Sequence, residues 1–216
     1  MISKNTIVVF DFETGSVDPS RCELLQIGAV ALDPRSLQEV DHYEALVRPV
    51  DPSNVEDEAL AVNRLDPKKF MAAPERAAVW ADWGRWIKQF NRPGGVEGRP
   101  IAAGKNIHGF DWPIVVRLCG VHGPLDKNGT PGFFHPRRRC DLEELLWQWF
   151  ESDPDMMPKL SMDCVRDTFG LSKEGAHSAL VDARQTAQMI ARFLGLHRRL
   201  KEANDKDGNS LIKWRN

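Results

Sequence analysis

Two carboxylates spaced two residues apart, Asp11 and Glu13, stand at the end of an otherwise apolar run that starts at Thr6. The run is rich in β-branched and apolar residues, as in a buried strand. Residues two apart on a strand point to the same side, so both carboxylates face one spot, about 7 Å apart along the backbone. Two adjacent anions repel, and partial burial makes ionising both harder still. A divalent cation between them removes that difficulty. The competing reading is that the strand has ended and both acids are solvated at a turn.

Two more places carry chemistry of the same kind. Asp111 closes the stretch Asn106-Ile107-His108-Gly109-Phe110 at the beginning of a helix, where an aspartate is often only a cap. His177 lies just ahead of the last helix and Asp182 in its opening turns. At about 100° per residue, Asp182 lies about 200° round from Leu180 and off the core stripe. Taken separately, Asp182 reads as a solvated helix position and His177 as a loop residue.

These residues must be positioned by a fold, and the chain's patterning supplies one. Thr6 to Phe12, Glu23 to Leu32 and Asp41 to Arg48 read as three consecutive strands with polar turns between them, an antiparallel start. From Pro74 to Phe90 the period becomes helical, with Val79, Trp83, Trp86 and Phe90 on one face. That spacing makes Trp80, Trp83 and Trp86 core residues rather than a base-stacking platform. Asn91 to Pro100, with three glycines and two prolines, is a loop. Ile101 to Ala103 reads as a short strand, Pro113 to Leu118 as a helix ending near Gly120, and Asp141 as a helix start with Glu144 as its capping-box partner. Leu160 to Phe169 reads as a short helix closed by Gly170, and Ser178 to Leu200 as the last long one. No internal repeat or linker interrupts the pattern. The reading is one α/β domain over 1–200, followed by a polar tail over 201–216 in which only Leu211, Ile212 and Trp214 are large and apolar.

Bulk properties narrow the function classes. A chain of 216 residues is long enough for one well-buried domain. Its net charge of −2 excludes a polycation built to coat duplex nucleic acid. The apolar run Ile7 to Phe10 is too short for a signal-peptide core or a bilayer span. Four cysteines without CxxC pairing suggest a reducing, cytoplasmic setting. Cys119-x-x-His122 and His135-x-x-x-x-Cys140 have spacings that fit a small zinc site, although Cys119 falls on an apolar helix side where a buried free thiol is common. Arg137-Arg138-Arg139, the densest positive run, is placed in sequence between two of the acidic motifs and is a candidate for phosphate contacts.

Together and in this order, the motifs resemble those of the DnaQ-like 3′→5′ exonucleases of the DEDDh group. Phe10-Asp11-Phe12-Glu13-Thr14-Gly15 is similar to the family's first motif, Phe110-Asp111-Trp112 to its second, and Ala176-His177-Ser178-Ala179-Leu180-Val181-Asp182-Ala183 to its third. Leu25-Gln26-Ile27-Gly28-Ala29-Val30 resembles the second strand, and Leu46-Val47-Arg48-Pro49 the end of the third. The resemblance spans Ile7 to Leu194. Lys105 stands where a histidine is common in the family, and Asn91 to Pro100 and Asp126 to Arg139 match no motif.

The resemblance implies a ribonuclease H-like α/β fold, a mixed five-stranded sheet with its first three strands antiparallel, flanked by helices. It implies two divalent cations, Mg²⁺ or Mn²⁺, which suit an all-carboxylate site. Asp11, Glu13 and Asp182 would hold one, with Asp11 bridging to a second supported by Asp111. His177 would take the proton of the attacking water, a task for which an imidazole is suited. Thr14, Asn106 and Phe110 would contact the substrate, the 3′ end of single-stranded DNA or RNA, and the products would be nucleoside 5′-monophosphates. Proofreading beside a polymerase and end-trimming both fit this chemistry. The competing class is a catalytically inactive module of the same fold that binds nucleic acid or a polymerase. Such a module would be expected to lack at least one of the acids, and all four are present.

Overall fold

A computed structural model of the chain describes residues 5–206. Strands β1 (Ile7–Thr14), β2 (Leu24–Leu32) and β3 (Glu39–Leu46) form an antiparallel meander. The chain then makes two short helices, α1 (Asp57–Asn63) and α2 (Pro67–Met71), before α3 (Arg76–Lys88). Strand β4 (Ile101–Gly104) runs parallel to β1, and after α4 (Asp111–His122) strand β5 (Arg139–Asp141) runs parallel to β4. Helices α5 (Leu142–Phe150), α6 (Met162–Phe169) and α7 (Ala179–Lys206) complete the order. The sheet order is β3-β2-β1-β4-β5, the mixed five-stranded arrangement expected from the motifs.

Alternation along β1 divides the core in two. Val8, Phe10 and Phe12 face α3 and α4, where Trp80, Trp83, Ile114, Phe133 and Phe134 are buried with them. Ile7 and Val9 face the other way, toward Leu142, Leu146, Val165, Ala183, Ala187 and Ile190 of α5, α6 and α7. Asp11 and Glu13 continue the second set by the same period of two. They therefore project toward the side of the sheet that α7 covers.

The distance from α7 to the sheet is set by a missing side chain. A Cβ on Gly28 of β2 would come within 2.1 Å of the Ala179 carbonyl carbon and 2.2 Å of the Leu180 amide nitrogen. Where the backbone itself is the neighbour, no rotamer change relieves such an overlap. The glycine thus lets the first turn of α7 rest directly on the sheet. Gln26, two residues earlier, accepts the Ala179 N–H at 3.2 Å and donates to Glu44 at 3.0 Å, tying the start of α7 to β2 and β3.

The elements depart from the sequence pattern in identifiable places. β1 runs through both acids to Thr14 rather than stopping at Phe12, because its pairing with β2 continues to Leu24 across a bulge at Glu13/Thr14. α4 begins at Asp111 itself. Strand β5 has only three residues and left no periodic signal of its own. α7 continues through Lys206, so the first six residues of the expected tail are helical. Leu211, Ile212 and Trp214 lie outside the described residues. At Asp141 the cap is made by its carboxylate accepting the Glu143 N–H at 2.9 Å, while Glu144 lies 3.7 Å from His108 instead of closing a capping box. Among the described residues, no helix is long and apolar enough to cross a membrane.

Replacing Gly28 with alanine tests the close approach. The expected outcome is a loss of about 1–3 kcal/mol or more in denaturant unfolding, the usual cost of overpacking a rigid contact. Gly120→Ala, inside α4 and with nothing within 4 Å of the added methyl, serves as the control and should be neutral or stabilising by up to about 1 kcal/mol through helix propensity.

Candidate active site

Three of the sequence-selected acids meet. Asp11 and Glu13 of β1 and Asp182 of α7 each offer a carboxylate oxygen, and the three oxygens lie within 4.8 Å of one another. Asp11 and Glu13 are half-buried, whereas Asp182 is only 8% exposed. The wheel argument that placed Asp182 in solvent fails here. Its side of α7 is not open to water but packed against β1 and the C-terminal half of α6, where Arg166 lies.

Asp111 completes the group from the opposite side of β1. It is 3% exposed, and its Oδ1 accepts the Phe12 N–H at 3.1 Å. It thus grips the backbone between Asp11 and Glu13, and its charge adds to the repulsion on both. The end-of-β4 loop that delivers it is built on Asp141, whose carboxylate accepts the N–H groups of Asn106 at 2.8 Å and His108 at 3.3 Å. Asn106 adopts a left-handed conformation, φ 52°, which asparagine tolerates better than most residues.

The electrostatics follow from this crowding. Burial is the main cause that raises the Asp11 carboxyl well above the ordinary carboxylate range, with repulsion from Asp111, Glu13 and Asp182 adding to it. Glu13 is pushed up to about 8, again chiefly by burial and then by Asp182 and Asp111. Asp111 also rises to about 8 through burial, against the lowering effect of its backbone hydrogen bonds. Asp182 is raised by burial but pulled back by Arg166 and by the imidazole and backbone N–H of His177. His177 itself has φ 67° in the turn before α7. It is half-buried and close enough to Asp182 to act on its charge.

The remaining sequence candidates fall as follows. Thr14 is buried at the end of β1, its hydroxyl donating to the Ser16 carbonyl at 2.8 Å. Phe110 is half-buried immediately before α4, and Asn106 is exposed in the same loop. The zinc alternative is not supported by the geometry. Cys119 is packed with the α3–α4 side of the core and Cys140 with the α5–α7 side, and burial pushes both thiols up to about 12. His135 is instead paired with Glu97 at 3.0 Å, and His122 accepts from Arg76 at 3.3 Å. The basic run is likewise engaged by the protein. Arg137 bonds Glu97 at 2.8 Å, Arg138 lies 4.0 Å from the same carboxylate, and Arg139 stacks over Trp112 at 4.6 Å. Glu97 therefore fastens the 126–139 stretch to the 91–100 loop.

Residues that the sequence reading passed over include Gln26, Asp141 and above all Arg166. The signal for Arg166 was available. It lies four residues after Met162 and three before Phe169, on the apolar stripe of its own helix. A charge in that position requires a buried partner.

Comparison with known proteins agrees with this geometry. Residues 8–96 match the RNase T exonuclease family model. Ribonuclease T of Yersinia enterocolitica is 28% identical over 200 residues, covering 89% of this chain and 86% of that protein. A PolC-type DNA polymerase III of Thermotoga petrophila is 24% identical over 208 residues, of which this chain spans only 12%. Among solved structures, exonuclease I of E. coli in complex with a dT13 oligonucleotide superposes with a TM-score of 0.74 at 19% identity, over 92% of this chain and 43% of that one. Family model, relatives and fold point the same way: over residues 8–96 the chain is similar to the RNase T exonuclease family, and it shares the fold of exonuclease I.

Proposed function

We propose that the protein is a metal-dependent 3′→5′ exonuclease that hydrolyses the terminal phosphodiester of single-stranded DNA or RNA and releases nucleoside 5′-monophosphates. The observation that carries this reading is the convergence of Asp11, Glu13 and Asp182 within 4.8 Å, with Asp111 held against the same strand. Four carboxylates so confined cannot all ionise by themselves, as the rise of Glu13 and Asp111 to about 8 expresses. An all-oxygen, strongly anionic donor set fits hard divalent cations such as Mg²⁺ or Mn²⁺.

When bound, a pair of such ions supplies water activation on one side of the phosphate and stabilisation of the departing 3′-oxygen on the other. Asp11, Glu13 and Asp182 would hold one ion, and Asp11 with Asp111 would serve the second. His177, beside Asp182, would accept the proton from the attacking water. Thr14, Asn106 and Phe110 would position the terminal nucleotide. The four free cysteines fit action in a reducing, cytoplasmic setting. That exonuclease I has been solved with a dT13 oligonucleotide supports a single strand as substrate, and the polymerase relative supports proofreading as one setting for this chemistry.

End-labelled single-stranded DNA and RNA, digested with Mg²⁺, with Mn²⁺ and with chelator, test the proposal and choose the substrate. Shortening from the 3′ end only when metal is present is the expected outcome; metal-independent or internal cleavage would reject it. In the same assay Asp11→Asn abolishes hydrolysis while circular dichroism and melting show a folded protein. His177→Ala slows turnover by roughly 10²–10⁴-fold with metal binding retained, the usual weight of a general base; an unchanged rate would make His177 structural.

The pH dependence has a definite sign. Between the ordinary glutamate value of 4.5 and about 8, the folded protein retains a proton at Glu13 that the unfolded chain has released. Stability contributed by the acid group is therefore lost as pH rises through that window. In chelator, the melting temperature falls across it. Mg²⁺ restores the lost stability at the alkaline end and has little effect at the acid end. A metal effect independent of pH would contradict the coupling.

A further inference from the structure

A buried cation lies behind the acid group, on the side of Asp182, while the partly exposed Lys105 acts on Asp11 and Asp111. Arg166 of α6 is 1% exposed, and its guanidinium is used in three directions. Nε donates to Gln185 Oε1 at 2.8 Å, Nη1 to Asp163 Oδ1 at 2.9 Å and Nη2 to Asp182 Oδ1 at 2.5 Å. Gln185 is fixed in turn by its own bond to the Ser172 carbonyl at 2.6 Å. A planar guanidinium held at three points has one orientation, and so does the carboxylate it touches. Burying an arginine carries a heavy desolvation penalty, and an apolar side chain between α6 and α7 would serve packing at least as well. Its contact with Asp182 offers a reason for it.

We propose that Arg166 is a positioning residue that occupies one oxygen of Asp182 and so restricts this acid to ligating a cation through the other. This rests on the metal-site reading given above. Two consequences follow from the geometry. The guanidinium offsets part of the site's negative charge, which weakens cation binding by Coulomb repulsion. It also fixes the direction from which Asp182 approaches the cation, on which the alignment of the reacting atoms depends. Loss of Arg166 thus has opposite effects on the two quantities. Metal binding becomes tighter, because Asp182 can turn both oxygens to the ion. Turnover becomes slower, because the ion shifts. A side chain that only held α6 to α7 would not give this pairing.

The test uses the full chain and Mn²⁺ as the binding probe, followed by electron paramagnetic resonance in the absence of substrate. Arg166→Met is expected to bind Mn²⁺ about tenfold more tightly. Its kcat should fall by roughly 10²-fold, the scale of an ångström-sized misplacement, with KM for the oligonucleotide unchanged. Arg166→Lys keeps the charge without the three-way grip, so its Mn²⁺ affinity stays near that of the parent while kcat still falls. If the methionine variant does not fold, the lysine variant decides the matter. Asp163→Ala, at an exposed position, loosens the same grip and gives a smaller loss of kcat. Folded Arg166 variants with parental kcat, or with weaker Mn²⁺ binding and raised KM, would overturn the proposal. Asp182→Asn separates the two levels. If it keeps Mn²⁺ binding and turnover, the metal-site reading fails; if it loses them while Arg166 variants are unaffected, only the role of Arg166 fails.

Discussion

Like charges held together out of water dominate this molecule. Water would disperse the repulsion among Asp11, Glu13, Asp111 and Asp182, but the fold removes much of that water, and burial is the largest cause of every upward shift among them. A protein gains nothing in stability from such an arrangement. It persists because rigid elements on both sides of one strand fix the acids by their backbones: the β1–β2 ladder for Asp11 and Glu13, the bond to the Phe12 amide for Asp111, and the seating of α7 on Gly28 for Asp182. A concentrated positive charge would offset the same repulsion.

That constraint accounts for features remote from the acids. The α7 start must lie against the sheet, which requires glycine at 28 and uses Gln26 to satisfy the first helical N–H. The β4–α4 loop must turn sharply to bring Asp111 back to β1, which uses the left-handed Asn106 and the carboxylate of Asp141. Arg166 places a buried guanidinium in a hydrogen bond to one of the four acids. The segments 91–100 and 126–139 hold each other through Glu97, His135 and Arg137 at the edge of the domain. Their polar groups are thus engaged with one another, next to β4 and β5.

Much of this was legible in the chain itself, for physical reasons that also explain what was not. The meander, α3 and α7 announce themselves because a half-buried strand and an amphipathic helix each repeat with a characteristic period. Asp11 and Glu13 stood out because charges end an apolar run there, and the resemblance to the exonuclease motifs grouped them with Asp182, which the fold brings to the same spot. β5 escaped notice because three residues carry no period, and α1 and α2 because helices of 7 and 5 residues show barely two turns. The competing reading of Asp182 as a solvated position fails because a helical wheel knows only one buried face, while this side of α7 packs on β1 and meets Arg166 of α6. The arginine run looked available because pairing with Glu97 and stacking on Trp112 are relations between distant positions.

The most direct measurement is a crystal structure of the protein soaked in Mn²⁺ with a nucleoside 5′-monophosphate, read by anomalous scattering. Manganese peaks ligated by Asp11, Glu13 and Asp182, with Asp111 on the neighbouring ion and the phosphate against both, are the result this account requires. Ordered nucleotide beside metal-free carboxylates, or manganese bound elsewhere, would contradict it.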